Sequence, residues 1–215
     1  MQFNDIKSIV FDCDGVVLNS NKLKTQAFYN AALPYGKKAA IALVSYHIKN
    51  GGISRNHKFE YFLANIATST INGPNINDLI NTYATEVANG LLQCEISSCL
   101  MSLREKTPDT KWFIVSGGAE DELRKVFSNR SIKDMFDGGI YGSPKTKDQI
   151  LNSLKKENQL KFPALFLGDS RYDYESAQRA NLDFTFVCEW TEFKDWRSFC
   201  QRMKIPHIGS LCDLL

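Results

Sequence analysis

Histidine is scarce in this chain: 215 residues contain three, so a zinc centre is not expected. The six cysteines, at 13, 94, 99, 188, 200 and 212, form no Cys-x-x-Cys pair and no Cys/His spacing of a metal-binding loop. They are too sparse for a disulfide scaffold, and read as reduced, buried or inert thiols of a cytoplasmic protein. A surplus of one charge is missing as well. Lys and Arg number 26 against 24 Asp and Glu, a net +2, with no basic cluster to favour a nucleic-acid partner. No apolar run approaches the roughly 18 residues of a membrane span, so no membrane partner is expected. Residues 1–7 have neither the basic start nor the apolar stretch of a signal peptide. Repeats, low-complexity segments and long charge runs are also absent. What remains is an ordinary globular composition, 43% apolar and 23% charged, at a length that suits one large domain or one domain with an insertion.

Residues 8–11, Ser-Ile-Val-Phe, form a short apolar run that ends abruptly in acid. A strand buried in a parallel sheet has this pattern. Next come amphipathic segments with no strand between them. Helical spacing of apolar and small residues predicts helices over 22–33, 37–49, 56–67 and 77–89, punctuated by Pro34 and by Gly51-Gly52. The pattern then alternates. A helix is predicted over 95–105, strands over 111–115, 139–142, 164–167 and 184–187, and helices over 119–127, 147–158 and 172–180. Such alternation implies βαβ units about a parallel sheet. The expected fold class is therefore α/β: a three-layer, Rossmann-like parallel sheet core, residues 1–16 and 88–215, with an α-helical domain, residues 17–87, inserted after the first strand.

The chemistry is expected at the carboxyl ends of these strands, the edge at which open parallel sheets bind ligands. Asp12 and Asp14 follow the first strand, Ser116 the second and Asp169 the fourth, with Asp173 one helical turn later. Four converging carboxylates repel one another unless a cation lies among them. Oxygen donors without His or Cys favour Mg²⁺, and Mg²⁺ keeps positions open for phosphates. Each piece also has a plainer reading. Asp-x-Asp-Gly is a common Asx turn, Gly168-Asp169-Ser170 is a helix cap, and Ser116-Gly117-Gly118 is a structural turn or an anion site. Their joint occurrence at strand ends favours a functional site.

The same residues carry a family resemblance. Phe11-Asp12-Cys13-Asp14-Gly15-Val16-Val17-Leu18-Asn19-Ser20 resembles the DxDGxxxxS motif of the haloacid dehalogenase superfamily. Phe113-Ile114-Val115-Ser116-Gly117 is similar to its second motif, and Gly168-Asp169-Ser170-Arg171-Tyr172-Asp173 to its fourth, GDxxxD. The third motif, a Lys before a helix, has two candidates in Ser143-Pro144-Lys145-Thr146-Lys147-Asp148. Lys147 directly precedes the helix, whereas Lys145 follows Pro144, as in family members with a Lys-Pro motif. The helical insertion resembles the small cap of phosphoglycolate phosphatases and β-phosphoglucomutases. One departure occurs after Ala177-Gln178-Arg179-Ala180, where Asn181 stands in place of the family's frequent Gly. Asn tolerates the same left-handed backbone.

The resemblance implies roles. Asp12 would be a nucleophile that becomes an aspartyl-phosphate. Asp14 would protonate the leaving alcohol and then activate water. Asp12, Asp169 and Asp14, the last through its main-chain carbonyl, would hold Mg²⁺, with Asp173 a ligand or a partner of one. Ser116 and the N–H groups from Gly117 onward would take a phosphoryl oxygen, and Lys147 or Lys145 would neutralise charge. The presence of Asp14 favours phosphate esters, since the family's dehalogenases and phosphonatases lack this second aspartate.

The loop Asn50-Gly51-Gly52-Ile53-Ser54-Arg55 is expected to face the site. Gly52 allows close backbone approach, Ser54 is a second contact, and Arg55 would fork onto a phosphate, a carboxylate or sugar hydroxyls. Gly52-Ile53-Ser54-Arg55 resembles the Gly-Val-Ser-Arg of the β-phosphoglucomutase cap. The plainer reading is a helix end followed by a Ser cap, with Arg55 in solvent. Lys24, His47 and His57 are weaker candidates, Cys13 is expected in the core, and Phe59, Tyr61 and Phe62 are expected to pack the insertion. The expected function is a Mg²⁺-dependent phosphatase for a small phosphorylated metabolite, such as a sugar phosphate. The alternatives are a phosphomutase of the β-phosphoglucomutase type and a non-catalytic interaction module on the same fold. Substrate identity and oligomeric state have no signature in the sequence.

Overall fold

The computed structural model describes residues 5–67 and 73–215. Residues 1–4, part of the N-terminal stretch read above, and residues 68–72, part of the expected insertion, lie outside the described residues. Strand β1 (Ser8–Phe11) is wholly buried, as an apolar run flanked by two other strands must be. Helices α1 (Asn21–Ala32), α2 (Lys37–Lys49), α3 (Arg55–Asn65) and α4 (Ile76–Gln93) follow. A capping box between Asn75 and Asp78 starts α4, and Leu79, Tyr83, Val87 and Leu91 form its buried stripe. That stripe carries α4 beyond both the predicted helix end at 89 and the expected insertion end at 87.

The alternating part comprises α5 (Leu100–Lys106), β2 (Lys111–Ala119), α6 (Glu120–Asn129), β3 (Gly139–Ser143), α7 (Lys147–Lys156), β4 (Ala164–Gly168), α8 (Arg171–Ala180) and β5 (Asp183–Val187). Helix α9 (Trp196–Met203), β6 (His207–Ile208) and a terminal 3₁₀ turn (Leu211–Leu214) complete it. These last three are not among the predicted elements. β6 is two residues long, too short for any periodicity, whereas α9 has its apolar residues Trp196, Phe199, Cys200 and Met203 at helical spacing and buries Phe199 and Cys200. The predicted helix over 95–105 is shorter at its start, because residues 95–97 pair with the segment leaving β1. The Asn19 N–H donates to the Glu95 carbonyl at 2.9 Å, the Ser97 N–H to the Val17 carbonyl at 3.0 Å, and Leu18 and Ile96 form an antiparallel bridge.

The strands form one parallel sheet in the order β3-β2-β1-β4-β5-β6. Alternate side chains point to opposite faces. Ile9, Phe11, Trp112, Ile114 and Leu167 join one buried cluster with Leu123, Val126 and Phe127 of α6. That cluster continues into the insertion through Phe28, Leu43, Phe59, Phe62 and Leu79. Val10, Phe113, Val115 and Phe166 face α7, α8 and α9. The result is the expected α/β fold, a Rossmann-like parallel sheet between helical layers. Asn181 ends α8 at φ 60°, ψ 43°, in the left-handed region predicted for it.

One expectation is corrected. Cys99 and Cys212 form a disulfide, and 113 residues separate them, so no local spacing announces the pair. Cys13, Cys94, Cys188 and Cys200 are free. Among the described residues, no helix is long and apolar enough to cross a membrane.

Candidate active site

The strand order reverses direction at β1, whose partners are β2 on one side and β4 on the other. Loops that leave adjacent strands at such a point diverge and open a crevice at the carboxyl edge. Asp12 follows β1 and Asp169 follows β4. The register sets Phe11 beside Leu167, and the Asp12 N–H donates to the Leu167 carbonyl at 2.9 Å. Gly15, at φ +81°, completes the approach, since a Cβ there would lie 2.2 Å from Asp169 Oδ2. Only glycine fits the turn between the two carboxylates.

Asp12 is 3% exposed and accepts a hydrogen bond from Lys147 Nζ at 2.7 Å. Lys147 also donates to Asp173 Oδ1. A capping box places Lys147: Thr146 caps α7, Gln149 reciprocates, and Lys147 becomes the first helical residue, with its side chain buried. Lys145 is exposed. Of the two lysine candidates, the structure brings Lys147 to the aspartates. The Asp173 Oδ2 accepts from the backbone N–H and the hydroxyl of Ser170, at 3.1 and 2.6 Å. Both of its oxygens are thus engaged in holding the turn after β4.

Asp14 faces elsewhere. Lys24 donates to Oδ2 at 2.6 Å and Ser20 to Oδ1 at 2.5 Å, so its side chain stands apart from the other three. Burial works to raise the Asp14 carboxyl, but Lys24 and Ser20 outweigh it and hold it below the ordinary value. Asp12 is pushed the other way, up to about 7, by burial against the pull of Lys147, with Asp173 and Asp14 adding to the rise. Burial, then Asp12 and Asp173, lift Asp169 well above the carboxylate range. The Lys147 ammonium, costly to bury but faced by Asp12 and Asp173, stays charged, its pKa raised.

One oxygen each from Asp12, Asp169 and Asp173 lie within 4.8 Å of one another. Burial first, and the neighbouring carboxylates after it, raise the proton affinity of Asp12 and Asp169. A hard divalent cation fits this all-oxygen donor set. With Asp173 occupied by Lys147 and Ser170, Asp12 and Asp169 are the side chains best placed to hold one.

Above these residues lies a cavity of about 80 Å³, room for a handful of waters. Asp12, Asp14 and Asp169 line it from the sheet edge, and the backbone of Gly117, Gly118 and Ala119 from the end of β2. Ser116 is buried beneath, its hydroxyl accepting from the Gly118 N–H at 3.0 Å. Lys24, His47, Gly52, Arg55 and Lys58 close the cavity from the insertion. The loop through Gly52 touches the core directly: a Cβ on Gly117 would meet the Gly52 carbonyl oxygen at 2.3 Å.

Two expected substrate contacts have other partners. Ser54 caps α3, its hydroxyl accepting from the His57 N–H. Arg55 makes a two-pronged pair with Glu122 of α6, at 2.8 and 2.6 Å, with Tyr83 beneath its guanidinium at 5.4 Å. Arg55 lines the cavity, but its fork is spent on the core. His57 is exposed and Cys13 is buried.

Several cavity residues are missing from the sequence reading. Lys58 lies three residues after Arg55 on α3, a helical spacing that puts both on one face. Asn21 donates to Asp169 Oδ2 at 2.7 Å and to the Trp190 carbonyl at 3.0 Å. Thr191 donates to the Asp169 carbonyl at 2.7 Å. The loop after β5 carries no motif, so nothing local flags it.

A family model described as haloacid dehalogenase-like hydrolase matches residues 9–187. No curated protein matches the sequence. Similar solved structures include a haloacid dehalogenase-like hydrolase from Streptococcus pneumoniae, 19% identical, with a TM-score of 0.69 over 95% of this chain and 93% of that one. A predicted phosphatase from Clostridium acetobutylicum is 16% identical, with a TM-score of 0.74 over 97% and 96%. CbbY from Rhodobacter sphaeroides, in complex with phosphate, is 16% identical, with a TM-score of 0.63 over 85% and 86%. At these identities the likeness is one of fold.

Proposed function

The chain belongs to the haloacid dehalogenase-like hydrolases, and we propose that it is a Mg²⁺-dependent phosphatase that passes the phosphoryl group of a small metabolite ester to Asp12 and then to water. One observation carries the reading. Asp12, on the cavity wall, has Lys147 on one oxygen, while Asp14, two residues on, has its own partners in Lys24 and Ser20. A nucleophile and a proton-transfer group thus leave one turn without competing for a partner.

Asp12 attacks phosphorus and becomes the aspartyl-phosphate, while Asp14, a carboxylate beside Lys24 and Ser20, takes the proton of a monoanionic ester's phosphoryl oxygen and passes it to the departing alcohol. Asp14, returned to the carboxylate that Lys24 and Ser20 favour, then takes a proton from the water that attacks the phosphoryl group and frees Asp12. Lys147 neutralises charge at Asp12 throughout. Mg²⁺, held by Asp12 and Asp169 with Asp173 behind them, would supply charge neutralisation for the phosphoryl oxygens. The N–H groups of Gly117, Gly118 and Ala119 are the available donors for those oxygens. The insertion, residues 17–87 in the sequence reading, acts as a cap that excludes bulk water. Hydrolysis is preferred to mutase transfer, because the Arg55 fork that carried the mutase resemblance is taken by Glu122.

The test is phosphate release from a panel of phosphate monoesters. Turnover is expected with Mg²⁺, lost in EDTA and restored by added Mg²⁺. Asp12→Asn keeps the side-chain size and should lower turnover by about a thousandfold or more, with an unchanged melting temperature. Turnover of that variant within tenfold of wild type, or full activity in EDTA, would overturn the reading.

A further inference from the structure

The cations that line the cavity differ in one respect. Lys24 is paired with Asp14 at 2.6 Å and Arg55 with Glu122 at 2.6 Å; Lys147, just behind the wall, is paired with Asp12 and Asp173. Lys58 has no carboxylate in ion-pair reach among the described residues. It is 2% exposed, and its Nζ donates to His47 Nδ1 at 2.7 Å. The Phe28 ring lies beside both, 5.4 Å from the Lys58 Nζ and 4.5 Å from the imidazole centroid. With Nδ1 accepting, a neutral His47 carries its own hydrogen on the other ring nitrogen.

A buried ammonium without a counter-ion costs stability, and an apolar side chain of similar volume would fill the same space without that cost. Residues that break a local rule in this way concentrate at functional sites. We propose that Lys58, with His47 beside it, is a subsite for a second anionic group of the substrate. The substrate class is then a small phosphomonoester that bears a carboxylate or a second phosphate close to the ester. The inference rests on the phosphatase reading and deepens it.

The electrostatics agree with the geometry. Burial, with Lys24 next, brings the Lys58 ammonium down to about 7, against a weaker opposing pull from Asp14. Burial, then Lys58 and Lys24, hold His47 well below its ordinary value. The pocket wall thus carries less positive charge than its residues can, and an arriving anion restores it.

The experiment compares kcat/KM for 2-phosphoglycolate, ethylene glycol bisphosphate and 2-hydroxyethyl phosphate. The third has a similar chain length but ends in a neutral hydroxyl. One acidic ester is expected to exceed the neutral one by about tenfold or more, and whichever does so identifies the second anion as carboxylate or phosphate. Lys58→Met should bring that ratio close to one. Equal constants for all three esters in the wild type, or a ratio that Lys58→Met does not move, would overturn the subsite. If the variant does not fold, the wild-type ratio still decides. Melting curves of Asp12→Asn with each ester read binding apart from turnover. A larger stabilisation by an acidic ester than by the neutral one upholds the subsite even where no ester is hydrolysed, and the phosphatase reading then falls alone. Equal turnover with equal stabilisation removes the subsite and leaves the phosphatase reading standing.

Discussion

Asp12 and Asp14 are two positions apart, yet their carboxyl groups are shifted in opposite directions. Asp12 shares Lys147 with Asp173 and lies beside Asp169, whereas Asp14 has the Lys24 ammonium to itself. Lys58 extends the contrast to stability. It is lowered to about 7 from an ordinary 10.5, so between those pH values the unfolded chain holds a proton that the folded chain has released. Stability from this group therefore rises with pH across that window, and below it the full penalty is present. Lys58→Met should be more stable than wild type at pH 7. The gap should narrow toward pH 10 by up to about 1.4 kcal/mol per pH unit, read from urea unfolding at several pH values. A gap independent of pH would mean that Lys58 titrates ordinarily. Arg55 and Glu122 call for a double-mutant cycle. Their two-pronged pair should show a coupling of about 1–2 kcal/mol in unfolding, and no coupling would return Arg55 to solvent or substrate.

Helix α7 shows how an element places a catalytic group. Its capping box fixes the first turn, and Lys147 is the first residue of that turn. Thr146→Ala should cost about 1 kcal/mol in unfolding and lower kcat more than it changes KM, because Lys147 is positioned less tightly. A stability loss with kcat untouched would separate the cap from the chemistry. The contact between Gly52 and Gly117 is a second such point. Gly117→Ala puts a methyl where the Gly52 carbonyl lies, so the insertion cannot seat fully, and kcat/KM should fall by about a hundredfold with little change in melting. Signals of this kind were legible in the sequence because they are local. A buried strand ending in Asp, a Lys at a helix start and a Gly-Asp-Ser cap each announce themselves within ten residues. Lys58 did not, because its meaning depends on how α3 faces the sheet edge. The Arg55–Glu122 pair spans 67 positions, and β6, at two residues, is too short to leave a pattern; α9 does have one, in Trp196, Phe199, Cys200 and Met203 at helical spacing.

At the scale of the molecule, the Cys99–Cys212 link joins the start of α5 to the C-terminal turn. Neither residue lines the cavity. Reduction should therefore lower stability by about 2–4 kcal/mol, a fall of roughly 4–16 °C in melting temperature for a chain of this size, with phosphate release at room temperature largely retained. An unchanged melting temperature would show that the link contributes nothing. The fold class and the aspartate cluster could be inferred from one sequence; contacts between segments far apart in the chain, this link among them, could not. The antiparallel bridge of Leu18 and Ile96, with the hydrogen bonds from Asn19 to Glu95 and from Ser97 to Val17, concerns a different property, the mechanics of entry. Two separate tethers would let the insertion twist, slide and tilt. Zipped together, they behave as one leaf spring, and a single swing is the soft motion left. Stiffening the paired segment would slow entry and exit together and leave the chemical step itself untouched.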